Sequence, residues 1–216
     1  QDHISYIAEN GALCAHNGQI LFRQLLDDSL RLRIIEEIKK TPNFDILLSR
    51  ENASVIEGTN PAFVDHIRNV MKNTTEVVDD IAKAEGPFIK IAVANLSDGP
   101  QVLQNYLQHL QDMFAPEIRA VTSGNIWIDF IPPGINKGTA LQTFLDFFGI
   151  SADECIAMGD QQNDIEMLEL AGTSYAVSGA APGVSDHASH TVPFAEDVLE
   201  QLLDELEQPI SDSVLL

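Results

Sequence analysis

The spacing of apolar and polar residues divides the chain into two stretches with different grammars. In the first, Ser5–Ala8 predicts a short strand, and Glu9-Asn10-Gly11 then turns the chain. Ala12–Cys14 and Gln19–Phe22 predict a hairpin about His16-Asn17-Gly18, because Asn-Gly suits the positive-φ positions of a tight hairpin turn. Between Asp27 and Lys40, Leu30, Ile34, Ile35 and Ile38 recur at helical spacing, with acids early and lysines late, until Pro42 stops the helix. Phe44–Leu48 and Ala53–Ile56 predict short strands, and Asn60-Pro61 opens a helix running through Phe63, Ile67, Val70 and Met71. Phe88–Ala94 alternates as a strand. Gly99-Pro100 begins an amphipathic helix with Leu103, Leu107, Leu110 and Phe114 on one face, closed by Pro116. Ile118–Val121 and Ile126–Ile131 predict a strand pair joined at Ser123-Gly124-Asn125. Helices mixed with antiparallel hairpins are the α+β pattern.

After Pro132-Pro133-Gly134, helix and strand alternate singly, which predicts a parallel sheet. A helix over Lys137–Phe148 is followed by Ser151-Ala-Asp-Glu154, spaced for a capping box or a short turn. Then come a strand at Cys155–Met158, a helix at Asp164–Ala171, a strand at Ser174–Val177, a short helix near Pro182–Asp186, a strand at Ser189–Val192 and a helix at Ala195–Leu206. Residues 208–216 predict a frayed tail.

Composition narrows the function classes. The 216 residues carry 33 acidic and 12 basic side chains, a net charge of −21, which argues against nucleic acid or an anionic membrane surface as partner. Hydrophobic residues make up 44% of the chain, and no apolar run reaches the eighteen or so residues of a membrane span, so a cytoplasmic protein is expected. Cys14 and Cys155 sit in apolar contexts as reduced core residues, and the histidines show no metal-ligand spacing.

Candidate chemistry gathers at Gly159-Asp160-Gln161-Gln162-Asn163-Asp164, just beyond the apolar run Cys155–Met158. Two carboxylates, Asp160 and Asp164, crowd the carboxyl end of a strand, where open α/β sheets bind ligands. They either hold a hard cation or serve as turn and helix-start residues, jobs that Asp and Asn also favour. Lys137 opens a helix, against the helix dipole, in a region otherwise crowded with acids. It is either a functional cation or an exposed lysine. Together, a fixed ammonium and paired carboxylates are what phosphoryl transfer around Mg²⁺ requires.

With those residues the chain resembles the haloacid dehalogenase superfamily, and within it the Cof-type sugar-phosphatase-like branch. Ile135-Asn136-Lys137-Gly138 resembles that family's third motif. Gly159–Asp164 with Met167-Leu-Glu-Leu-Ala-Gly172 resembles its fourth, and Glu9-Asn10-Gly11-Ala12 is similar to the Asn-Gly-Ala turn preceding the cap. The resemblance implies an α/β fold: a Rossmann-like parallel-sheet core over 1–21 and 132–207, and an inserted α/β cap domain over 22–131. It further implies that Asp160 and Asp164 hold Mg²⁺. Asn163 and Asn10 would bind the phosphate, while Lys137 pairs with the nucleophilic carboxylate and the phosphoryl group. The implied activity is hydrolysis of a small phosphorylated metabolite, such as a sugar phosphate, through an aspartyl-phosphate.

The family's first motif, Asp-x-Asp-Gly-Thr, and the Ser or Thr of its second do not precede Glu9, and Asp27-Asp28 and Asp79-Asp80 lack the Gly-Thr. The chain is therefore expected to lack the front of its core, at least a βαβ-sized piece of roughly thirty residues, and to be inactive alone. Ser178-Gly179-Ala180-Ala181 also departs from the family's usual Gly-Asn-Ala. A phosphomutase of the same fold and a non-catalytic acidic binding or scaffold protein are the alternatives.

Overall fold

A computed structural model describes residues 4–123 and 126–207. The chain divides into two compact units, Gln1–Thr143 and Phe144–Leu216.

In the first unit, β1 (Ser5–Ala8), β2 (Leu13–His16) and β3 (Gln19–Arg23) form an antiparallel sheet in that order. The hairpin turns at Asn17 and Gly18, both at positive φ, as the Asn-Gly pair predicts. A six-stranded sheet follows, built from β4 (Asp45–Ser49), β5 (Ser54–Glu57), β6 (Thr75–Val78), β7 (Lys90–Ala94), β8 (Arg119–Ser123) and β9 (Trp127–Ile131). Its order is β6-β5-β4-β7-β9-β8, antiparallel throughout except for the parallel β5–β6 pair.

Strand periodicity gives this sheet two distinct faces. Ile46, Leu48, Val55, Ile91, Val93, Ile128 and Phe130 point one way. They pack with α1 (Asp28–Ile38), through Leu30, Ile34, Ile35 and Ile38, and with α3 (Pro100–Phe114), through Leu103, Leu107, Leu110 and Phe114. The other face shows Leu47, Ile56, Ala92 and Ala94, partly covered by Phe63 of α2 (Pro61–Asp65) and by Ile67. Asp27 caps α1 by accepting the Leu30 N–H at 2.8 Å, and Asn60 caps α2.

Two local features differ from the sequence reading. The helix predicted to run through Met71 is α-helical only to Asp65, and His66–Val70 is a π-turn. Strand β6 was not predicted. It is an edge strand of only Thr-Glu-Val-Val, with Val77 38% exposed, so it lacks the buried alternation that would announce it. Of the expected turn at Ser123-Gly124-Asn125, residues 124 and 125 lie outside the described residues, as does the tail after Glu207.

Helix α4 (Lys137–Phe148) spans the division between the units. Beyond it, β10 (Ile156–Gly159), β11 (Thr173–Val177) and β12 (His190–Val192) form a parallel sheet in sequence order. The helices α5 (Ile165–Leu170) and α6 (Ala195–Glu207) alternate with them, the single alternation predicted after Pro132. Ala157, Leu168, Ala171 and Val184 form this unit's core. Ser151 and Glu154 make the predicted capping box, with Glu154 Oε2 accepting from the Ser151 N–H at 2.9 Å. Among the described residues no helix is long and apolar enough to cross a membrane.

Candidate active site

Strand β10 ends at Gly159, and the loop beyond it is organised by Asp164 rather than by Asp160. Asp164 is 4% exposed, and its Oδ2 accepts the backbone N–H groups of Asp160 and Gln161, each at 3.0 Å. Asp164 in turn donates its own N–H to the Gln161 carbonyl at 2.9 Å. Charge-assisted bonds of this kind hold a loop firmly. Gly159 makes the close approach feasible, because a Cβ there would lie 2.6 Å from the Asp164 Cβ. Asp164 immediately precedes α5, and its carboxylate fixes the loop backbone.

The Asp160 side chain is exposed, and its Oδ2 accepts from Gln161 Nε2 at 3.1 Å. Its carbonyl accepts the Ala181 N–H at 2.8 Å, and Gln162 Nε2 donates to the Pro182 carbonyl at 2.7 Å. The loop after β11, which includes Ser178–Ala181, is thereby bound to the loop after β10. Asn163 lies in the 3₁₀ turn Gln162–Asp164. The fold therefore brings Asp160, Asn163 and Asp164 together at the carboxyl end of a parallel strand.

Asn10 and Lys137 belong to the first unit. Lys137 is the first residue of α4, and the preceding Asn136 caps that helix. Asn136 Oδ1 accepts the Thr139 N–H at 2.7 Å, and Thr139 Oγ1 accepts the Asn136 N–H at 3.1 Å. Gly11, at φ 103°, presses against this cap. A Cβ at Gly11 would come within 2.2 Å of the Asn136 carbonyl oxygen. The turn bearing Asn10 and the residue preceding Lys137 are thus in direct contact. Asn10 itself is left-handed at φ 56°, as is Glu9 at φ 52°.

What holds that turn escaped the sequence reading. Asn10 Nδ2 donates to Asp129 Oδ2 at 2.8 Å, and Lys90 Nζ lies 3.0 Å from Asp129 Oδ1 and 2.8 Å from Glu9 Oε2. Burial works to lower the Lys90 pKa, and the two carboxylates outweigh it, so the ammonium sits above the usual lysine value. The signal was an aspartate at the centre of the apolar strand Trp127–Ile131, where a buried carboxylate requires partners. Asp27 and Asp80, the weak candidates for the first motif, are caps, accepting the Leu30 and Ala82 N–H groups respectively.

Asp160 and Asp164 offer only oxygen donors. Among the described residues no group of three or more His, Cys, Asp or Glu is placed to hold a metal ion. A pair of carboxylates suits Mg²⁺, which is bound through one or two carboxylates and keeps several waters. The two residues fit that ion in kind.

Residues 1–202 match the family profile of the haloacid dehalogenase-like hydrolases. The chain belongs to this family. It is a Cof-type member, as the motifs at Asn10, Lys137 and Asp160 implied. The chain is 29% identical over 185 residues to the 5-amino-6-(5-phospho-D-ribitylamino)uracil phosphatase YbjI of Escherichia coli, covering 85% of this chain and 66% of that protein. It is 37% identical over 127 residues to the enzyme of the same description, YitU, of Bacillus subtilis, covering 58% of this chain and 47% of that protein. In structure it resembles SMU.1108c from Streptococcus mutans, with a TM-score of 0.80 and 26% identity, over 93% of this chain and 77% of that one. The chain spans less than two thirds of the length of these two curated relatives.

Proposed function

We propose that the protein of which these residues form the greater part is a cytoplasmic, Mg²⁺-dependent phosphomonoester hydrolase. Its substrate is a small phosphorylated metabolite such as a sugar phosphate, cleaved through an aspartyl-phosphate, with no role for nucleic acid. The Gly159–Asp164 loop carries this reading. The Asp164 carboxylate is turned onto two backbone amides, and Asp160 is left exposed at the strand end. Asp160 and Asp164 hold the ion, which when bound supplies positive charge to neutralise phosphoryl oxygens.

Lys137 contributes a fixed ammonium to the phosphoryl group and the nucleophile, and Asn10 and Asn163 contribute amide donors to the phosphate. Residues 22–131 act as the cap. No pair of aspartates separated by one residue occurs anywhere in the 216 residues, so the nucleophile and the acid/base of the family's first motif are not among them. The chain alone is inactive on this reading.

Two measurements test it. The purified 216-residue chain is expected to leave p-nitrophenyl phosphate unhydrolysed in Mg²⁺. The product of the complete gene is expected to hydrolyse it and to lose that activity on Asp160→Ala. Ordinary turnover by the chain alone would refute its inactivity, and full Mg²⁺-dependent activity in the variant would remove Asp160 from the site.

A further inference from the structure

On the helix-covered face of the six-stranded sheet, the reverse of the face from which Lys90 and Asp129 hold the Asn10 turn, the first unit contains a cavity of about 520 Å³. It lies between the first turns of α1 and the segment that runs from the 3₁₀ turn Ile81–Lys83 to Phe88. Leu26 and Phe88 line it as buried residues, with Ala82 and Ala84 beside them. Leu25, Leu32 and Pro87 stand exposed around it. Its size falls within the ~300–1,000 Å³ of small-molecule sites.

One buried charge enters this apolar space. The Arg31 side chain is 4% exposed, and its guanidinium carbon lies 5.1 Å from the centre of the Phe88 ring. Nε donates to Asp28 Oδ1 at 2.7 Å, and Nη1 donates to the Ile81 carbonyl at a long 3.4 Å. An arginine carries five N–H donors. The three that remain, at the Nη1 and Nη2 end, have no acceptor among the described residues. Leaving such donors unpaired in an apolar setting is costly.

The edge formed by Nη1 and Nη2 is the shape that a carboxylate accepts through two parallel bonds. The other charges of the lining limit the anion. Asp28 and Glu85 balance Arg31 and Lys83, so a phosphate dianion would face two carboxylates, whereas a single negative charge is matched by the fork. The lining includes no hydroxyl or amide side chain. A polyol would therefore turn its hydroxyls against leucine, alanine and phenylalanine without partners.

We infer that this cavity binds a small monocarboxylate with an apolar body, its carboxylate on the Arg31 fork and its body against Leu26, Leu32 and Phe88. The site takes no residue from the phosphate-binding turn or from the Gly159–Asp164 loop, and it does not depend on the phosphatase reading.

The ¹⁵N-labelled 216-residue chain would be titrated with 4-phenylbutyrate and with hexanoate, and amide shifts followed. Saturable shifts at Leu25, Arg31, Ala84 and Phe88, with Asp160 and Asp164 unmoved, are expected from both. The neutral 4-phenylbutanol and the dianion phenyl phosphate should bind about tenfold more weakly or less, since each loses the charge-matched pair of bonds. Arg31→Met should weaken 4-phenylbutyrate by the same factor. Because Arg31 is buried and its loss could unfold the chain, Leu32→Glu, which places a carboxylate at an exposed position of the lining, is the second variant. It should weaken binding at least as much while far-UV circular dichroism stays unchanged.

The absence of saturable shifts with both carboxylates would overturn the inference. So would equal affinity for 4-phenylbutanol or phenyl phosphate, shifts centred on other residues, or binding that survives Leu32→Glu.

Discussion

Lys90 and Asp129 form a buried ion pair at 3.0 Å across adjacent strands, with side chains 15% and 3% exposed. The register pairs Ala92 with Asp129, so Lys90, two residues along β7, projects from the same face and reaches it diagonally. Removing one member of such a pair strands the other. Lys90→Met is expected to cost about 3–5 kcal/mol, read from urea unfolding. The double variant Lys90→Met/Asp129→Asn should recover part of that loss. A double variant less stable than the single one would show that the pair is not what makes Asp129 tolerable.

The same pair sets a dependence on alkali. The folded pKa of Lys90 is raised above its unfolded value. Its contribution is therefore complete below the unfolded lysine value of about 10.4, and it is lost as pH rises through the folded value. Above about pH 10.4 the wild-type protein should lose stability more steeply with rising pH than Lys90→Met.

Asp45 shows the same sign at the acid end. Burial is the largest influence on it and raises its pKa, against a hydrogen bond from Asn60 Nδ2 at 2.7 Å. Its favourable contribution is present below the unfolded value of about 3.9 and is lost as pH rises through the folded one. Asp45→Asn, which can still accept from Asn60, should therefore raise the melting temperature at pH 7 and give no advantage below pH 4. Melting curves of the two proteins at both pH values decide it.

Two glycines are required for contact. At Gly159 a Cβ would strike the Asp164 side chain, and at Gly11 it would strike the Asn136 carbonyl while φ is 103°. Gly159→Ala is expected to cost about 1–3 kcal/mol through overpacking. Gly11→Ala should cost more, because the obstacle is backbone and the left-handed conformation adds strain of about 1–2 kcal/mol. Thermal unfolding of both variants tests the order.

Most of the fold was legible because its signals are local. Asn17-Gly18, Asn60-Pro61, Gly99-Pro100 and the Ser151/Glu154 box each announce an element within a few residues, and the first and last residues predicted for α4 hold. Strand β6 was not, since an edge strand buries little and shows little pattern. The loop Gly159–Asp164 was recognisable from its residue types. Which aspartate faces the backbone and which faces solvent was not, because that depends on Gly159 allowing Asp164 to fold back. The Lys90, Glu9 and Asp129 cluster joins residues far apart in sequence. No spacing rule could assemble it, though a lone Asp129 inside an apolar strand marked one end.

The unequal burial of the two loop aspartates separates stability from chemistry. Asp164 is buried and serves two backbone N–H groups, so Asp164→Ala leaves both donors without their acceptor and should cost at least about 2 kcal/mol. Asp160 is exposed, and among the described residues its carboxylate bonds only the neighbouring Gln161 side chain, so Asp160→Ala should stay within about 0.5 kcal/mol of wild type. Chemical denaturation measures both. If Asp160 holds the ion, its variant should nonetheless lose Mg²⁺ affinity, about tenfold or more, in calorimetric titration of the complete protein. A variant that keeps both stability and Mg²⁺ affinity would reduce Asp160 to a turn residue, whereas a loss of affinity at unchanged stability assigns it to the ion.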